Sequence, residues 1–230
     1  MTGFTLMTRT ALAGLAILMA VPMPAQADSA AERLADSAAV LRQILAAPDQ
    51  GLPTDVLARA QCVVIVPGLK KAGFIVGGTY GRGFITCRRQ GKGAWSAPAA
   101  LRMEGGSFGF QIGATESDVI LLLMDQTAVD GVLRSRFTLG AGVEAVAGPV
   151  GRGVGAATEG TMNARILSYT LSRGVFAGAT AGGASLRQDL DENREMYGKE
   201  LTTRDVIEGK VAPPKAAAEL LQLLAKYSKG

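Results

Sequence analysis

The spacing of hydrophobic positions changes period twice along the chain. Residues 28–47, DSAAERLADSAAVLRQILAA, place Leu34, Ala38, Leu41 and Leu45 at three-to-four spacing. That spacing predicts an amphipathic helix ended by Pro48. PTDVLARAQ predicts a short second helix with Pro53 at its start. The period then drops to two. CVVIVP is a short β-branched run, and AGFIVGGTYGRGFITCRR predicts two strands joined through its glycines. GAWSAPAALRM and FGFQIGATESDVILLLMD add strand material. Within the latter, ILLLMD is apolar without alternation, as a central strand buried on both faces would be.

QTAVDGVLRSR predicts one or two helical turns, and FTLGAGVEAVAGPVGRGVGAATEG is small, glycine-rich and weakly alternating. ARILSYTLSRGVFAGATAGGASLRQ predicts two strands turning near residues 172–174. Helix returns in DLDENREMYGKE, TTRDVIEGK and PPKAAAELLQLLAKYS, the last opened by Pro213 and Pro214. Helix, many strands and helix again, with no linker and no clear repeat, predict one α+β domain. The chain has 30 glycines. Glycine inside strands permits bulges, sharp bends and close backbone approach. The expected architecture is therefore a strongly curved, mostly antiparallel sheet or a partly closed barrel, flanked by N- and C-terminal helices.

Residues 1–27 stand apart from that domain, which is taken as 28–230. Arg9 is their only charge, the apolar run ALAGLAILMAVPM follows, and Ala25 and Ala27 supply a small-x-small cleavage pattern. This predicts a secretory signal peptide cut after Ala27. The run is shorter than the ~20 apolar residues a span needs, and Pro22 and Pro24 interrupt it. No cysteine lies near the cut to carry a lipid. A periplasmic or secreted mature protein is expected, with peripheral membrane association if it binds lipid.

The chain carries 24 Lys and Arg against 20 Asp and Glu. Without Arg9 the balance is 23 against 20, a modest +3, and no nucleic-acid partner is expected. The distribution says more. Residues 56–103 hold Arg59, Lys70, Lys71, Arg82, Arg88, Arg89, Lys92 and Arg102 and no acid. A basic side favours anionic partners. Cys62 and Cys87 are the only cysteines. In an oxidising compartment the pair invites a disulfide, with two separate buried thiols as the alternative.

The absence of histidine removes Ser-His-Asp and Cys-His catalysis and the commonest metal ligand. GGSFG fits a nucleophile elbow but has no histidine base, and GAGVEA fits a dinucleotide fingerprint but no helix-forming segment follows it. In DLDENREMYGKE, Asp189, Asp191, Asn193 and Glu200 fall on calcium-loop positions, yet Arg194 stands where that loop needs glycine. No enzyme, metal or cofactor is expected. LKKAGFIVGGTYGRGFITCR lacks the order of a nucleotide phosphate loop, and its alternation is that of a β-hairpin with a basic face.

Several ordered blocks also carry a family resemblance: LKKAGFIVGGTYGRGFITCR, WSAPAALRMEGGSFGFQIGATESDVILLLM, TLGAGVEAVAGPVGRG, LSYTLSRGVFAG and NREMYGKE. Together, over about residues 33–226, they resemble the SYLF domain. The resemblance implies a non-enzymatic, lipid-binding module with a preference for anionic lipid, and some fungal members are also described as actin-binding. It further implies contact through an N-terminal amphipathic helix and basic residues, with Lys71 matching the family's KAGF lysine. Residues 28–47 depart from this: Asp28, Glu32 and Asp36 oppose Arg33 and Arg42, whereas a membrane-surface helix is normally basic on its polar face.

The expectation is binding of anionic phospholipid, or of another phosphate-bearing envelope lipid, through Lys70, Lys71, Arg82, Arg88, Arg89 and Lys92. Reversing Lys71 and Arg82 to glutamate is expected to abolish binding and leave the fold intact. The alternative is an envelope structural or protein-interaction module without lipid specificity. An outer-membrane barrel is opposed by the low aromatic content, 5%.

Overall fold

The computed structural model describes residues 29–47, 51–89, 93–139, 145–149, 164–178 and 184–228. The signal-peptide reading of residues 1–27 and the position of Lys92 lie outside them. The chain is α+β: a curled, half-barrel sheet with helices before and after it. Helix α1 spans Ala30–Ala46 and opens with a capping box between Ser29 and Glu32. Helix α2 spans Thr54–Arg59. Strands β1 (Cys62–Cys87) and β2 (Ala99–Leu123) follow, then α3 (Gln126–Val132), β3 (Arg136–Thr138), β4 (Ala145–Ala147), β5 (Ile166–Gly178) and β6 (Ser185–Gln188). The C-terminal part holds α4 (Leu190–Tyr197), α5 (Thr203–Glu208) and, after a 3-10 turn at Lys215–Ala217, α6 (Ala218–Tyr227).

The sequence expectation of a hairpin inside residues 70–89 is corrected here. β1 runs unbroken through Gly73, Gly77, Gly78, Gly81 and Gly83, and the connection to β2 lies at residues 88–98. Likewise β5 passes straight through residues 172–174, and β6 runs in the same direction as β5, both antiparallel to β2, so the expected turn between two antiparallel strands is corrected as well. β1 and β2 form one antiparallel ribbon from Cys62↔Leu123 to Ile85↔Ala99, with register shifts between Val66 and Leu69 and between Phe74 and Val76. On its other edge β2 pairs with β6 through residues 101–104 and with β5 through residues 111–123. β3 extends the sheet beyond β6, and β4 lies parallel to β5.

A straight strand from Cys62 to Cys87 would be roughly 80 Å long. The two Cα atoms are 3.9 Å apart, joined by the Cys62–Cys87 disulfide. The ribbon is therefore bent double, and the returning half of β1 crosses its own beginning. The glycines of the returning half make that crossing possible. A Cβ on Gly83 would stand 2.0 Å from the Ile65 carbonyl oxygen, and one on Gly81 would stand 2.7 Å from Leu69 Cδ1.

Two apolar layers cover the two faces of the doubled sheet. Cys62, Val64, Val66, Leu121 and Leu123 pack with α3, β3, β6 and α5. Val63, Ile65, Ile120 and Leu122 pack with α1, α2 and α6. Residues 120–123 are thus buried on both sides, as the unalternating ILLL run predicts. The apolar stripe of α1, Leu34, Ala38, Leu41 and Ile44, is spent in the second layer. That helix is a packing element of the domain in this structure.

The disulfide joins residues 25 apart and ties the two ends of the ribbon. In the loop-entropy model a closure of this size contributes ~3 kcal/mol. Reduction is expected to lower the urea midpoint by the equivalent of that amount. Superimposable unfolding curves for oxidised protein and for protein shown reduced by thiol titration would mean that the crossing holds without the bond.

Candidate functional site

The six sequence-predicted cations divide among several environments. Lys70 is exposed on β1, opposite Glu116 in the register, and Lys71 is half-buried opposite Thr115. Arg89 is exposed just beyond β1 and lines a cavity of about 280 Å³ together with Gln61, Gln126, Glu208 and the disulfide. The other two described cations, Arg82 and Arg88, face inward.

Arg82 is held by two buried carboxylates. Its Nε donates to Asp189 Oδ2 at 2.8 Å, and its Nη2 lies 2.8 Å from the same oxygen and 3.1 Å from Glu192 Oε2. Arg33 of α1 reaches Glu192 Oε1 from the other side, through Nε at 3.1 Å and Nη2 at 2.9 Å. Arg102 Nε stands 3.8 Å from Asp189. Burial pushes the Glu192 carboxyl above its ordinary range, against the opposing pull of Arg33 and Arg82. Asp189 also caps α4 by accepting from the Glu192 amide. This network joins α1, the returning half of β1, β2 and the start of α4.

The acids of the calcium-like motif are therefore occupied in other ways. Asp189 is a helix cap and an ion-pair partner, and Asn193 accepts the Ala100 amide proton at 2.8 Å. Among the described residues no cluster of His, Cys, Asp and Glu has the makings of a metal site.

Arg88 is a clamp. Its Nε donates to the Ala60 carbonyl, and its Nη2 donates to the carbonyls of Ala58 and Ser228 at 3.1 and 2.7 Å. It therefore neutralises carbonyls at the C-terminal ends of both α2 and α6. The guanidinium also lies over the Trp95 ring, 4.7 Å from its centroid, while Trp95 Nε1 donates to Ser228 Oγ.

What remains at the surface of β1 is a different pattern. Lys70, Ala72, Phe74, Val76, Gly78 and Tyr80 recur at every second position and are all exposed. Phe74, Val76 and Tyr80 make up three of the four exposed large hydrophobic side chains among the described residues. Charge alone does not point to them. Their signal was in the sequence: alternation through residues 70–80, with no charge anywhere in 72–81. Also among the described residues, no helix is long and apolar enough to cross a membrane.

Comparison with known proteins gives a consistent family picture. The family model described as "Ysc84: Las17-binding protein actin regulator" matches residues 104–227. The chain is 36% identical to LAS seventeen-binding protein 3 of Saccharomyces cerevisiae over 179 residues, which is 76% of this chain and 39% of that protein. It is 37% identical to SH3 domain-containing protein PJ696.02 of Schizosaccharomyces pombe over 187 residues, 80% of this chain and 43% of that one. It is 30% identical to SH3 domain-containing YSC84-like protein 1 of Mus musculus over 210 residues, 90% of this chain and 61% of that one. The chain thus spans about two fifths of the yeast relatives and three fifths of the mouse relative.

Proposed function

The chain belongs to the Ysc84/SYLF family, and from that premise we propose that it is a binding module whose ligand is an anionic phospholipid surface, met through the exposed face of β1. The observation that carries this reading is the pairing of Lys70 and Lys71 with an exposed apolar stretch on one strand. Arg82 and Arg88 are left out of the proposed contact, because their guanidinium groups are engaged inside the domain. Arg89, and Lys92 in the same connection, are retained as outlying cations. The proposed setting is the cell envelope after removal of residues 1–27. No catalytic step is proposed: the matching family is described as a Las17-binding actin regulator, and the yeast relative is named as a binding protein.

Each cation near an anionic surface contributes about 1 kcal/mol, less in salt. Replacing Lys70 and Lys71 by glutamine is therefore expected to weaken binding to phosphatidylglycerol vesicles by roughly thirtyfold at low salt. Thermal unfolding of the variant serves as the control for fold. Wild-type binding by a folded variant would remove both lysines from the contact.

A second reading has its own support. The yeast relative is named for binding Las17, a protein, and in this chain the same β1 face would then meet an envelope protein. Binding that ignores lipid charge favours that reading.

A further inference from the structure

We infer that the bend of the β1–β2 ribbon is a shallow membrane-inserting tip, with Phe74, Val76 and Tyr80 entering the headgroup–acyl boundary of an anionic bilayer. The inference rests on the lipid reading above and adds to it the part of the fold that enters the membrane and its depth.

Phe74, Val76 and Tyr80 are 67, 64 and 50% exposed. A soluble domain of this size scatters such side chains singly, and a contiguous run of them marks a contact surface. The register positions opposite Phe74 and Val76 are Ile112 and Phe108, and Ala114 stands opposite Ala72. Residues 72–81 of β1 and 105–115 of β2 contain no charged residue. The two strands meet here at a register shift between Phe74 and Val76.

Charge returns only at the borders of this uncharged stretch. Lys70 and Lys71 precede it on β1, and Glu116 follows it on β2. At the other border Glu104, opposite Tyr80, pairs with Arg187, and Arg82 is already committed to Asp189 and Glu192. An apolar projection bordered on the same exposed face by Lys70 fits a bilayer with acidic headgroups, since that lysine sits where the phosphates would lie. Tyr80 has the ring and hydroxyl that favour the interface itself.

Backbone pairing sets the depth. β2 satisfies one edge of β1, and among the described residues no other strand pairs with the opposite edge. Unpaired amide groups are not tolerated in the hydrocarbon core. The ribbon therefore stops at the interface, where water still reaches its outer edge. This also separates it from a spanning β-barrel strand.

The test uses the full chain and a tryptophan reporter, Phe74→Trp, against the constant background of the buried Trp95. Vesicles are an equimolar mixture of phosphatidylcholine and phosphatidylglycerol, with lipids brominated either near the glycerol backbone or near the acyl terminus. The expected result is a blue-shifted signal quenched mainly by the shallow bromines. In parallel, Phe74→Ser/Val76→Ser should bind the same vesicles about tenfold more weakly while both lysines are intact. Unchanged binding by that double variant, with no quenching of the reporter, overturns the inference and leaves a purely electrostatic lipid contact standing. If the unaltered protein ignores these vesicles at every salt concentration, the lipid reading fails and the insertion falls with it.

Discussion

Arg82→Glu is expected to destabilise the fold by about 3 kcal/mol or more. This reverses the expectation from sequence, in which reversing Lys71 and Arg82 disarms the surface and spares the fold. Arg82 is the shared counter-ion of Asp189 and Glu192, whose side chains are essentially inaccessible to water. Removing one partner of a buried ion pair costs about 3–5 kcal/mol, because the remaining charge is left uncompensated. The glutamate would add a third carboxylate to two already present. Arg33 and Arg102 stay nearby, but Arg33 is already engaged with Glu192 and Arg102 approaches Asp189 only at 3.8 Å. A loss of at least about 3 kcal/mol is a large share of the 5–15 kcal/mol that holds an ordinary domain together. Circular dichroism during urea titration checks it. A variant that unfolds at the wild-type midpoint would show that the network contributes nothing to stability. Arg82→Met tests the same pair without the added charge and should fall between the two.

Gly83→Ala is the second large effect, and it strikes the crossing of the ribbon. The new Cβ would meet the Ile65 carbonyl oxygen at 2.0 Å and Val66 Cα at 2.8 Å. Both are backbone atoms of a strand fixed on its far side by β2, so neither moves as a side-chain end would. Gly83 itself pairs with Leu101, so the returning half is fixed as well. Overpacking a core typically costs 1–3 kcal/mol, and with backbone on both sides about 3 kcal/mol or more is expected. Gly78→Ala is the matched control, since nothing lies within 4 Å of its Cβ position. Equal unfolding midpoints for the two variants would contradict the crossing.

These two positions also show what sequence conveys and what it leaves out. The unalternating run at residues 120–123 announced a strand buried on both faces, and the spacing in residues 28–47 announced α1. The two cysteines were legible as a candidate pair, which the fold joins. The continuity of β1 was not legible. Glycine serves both a turn and a close crossing of strands, and only the three-dimensional path shows which is needed. The charges of Arg82 and Arg88 were visible, but their partners were not: Asp189 is 107 positions away from Arg82, and Ser228 is 140 positions away from Arg88. Local charge therefore read as a surface where the fold uses it for internal pairing. The exposed apolar face at Phe74, Val76 and Tyr80 was masked by the same hairpin reading, because a turn at the glycines breaks the alternation that reveals it.

The most direct test of the lipid account is co-sedimentation of the protein lacking residues 1–27 with vesicles of phosphatidylcholine alone and of phosphatidylcholine with phosphatidylglycerol, each at low and physiological salt. Binding is expected to require phosphatidylglycerol and to weaken as salt rises, because screening shortens the reach of Lys70 and Lys71. Protein that stays in the supernatant under all four conditions, or binds both lipids equally at both salt concentrations, would contradict it.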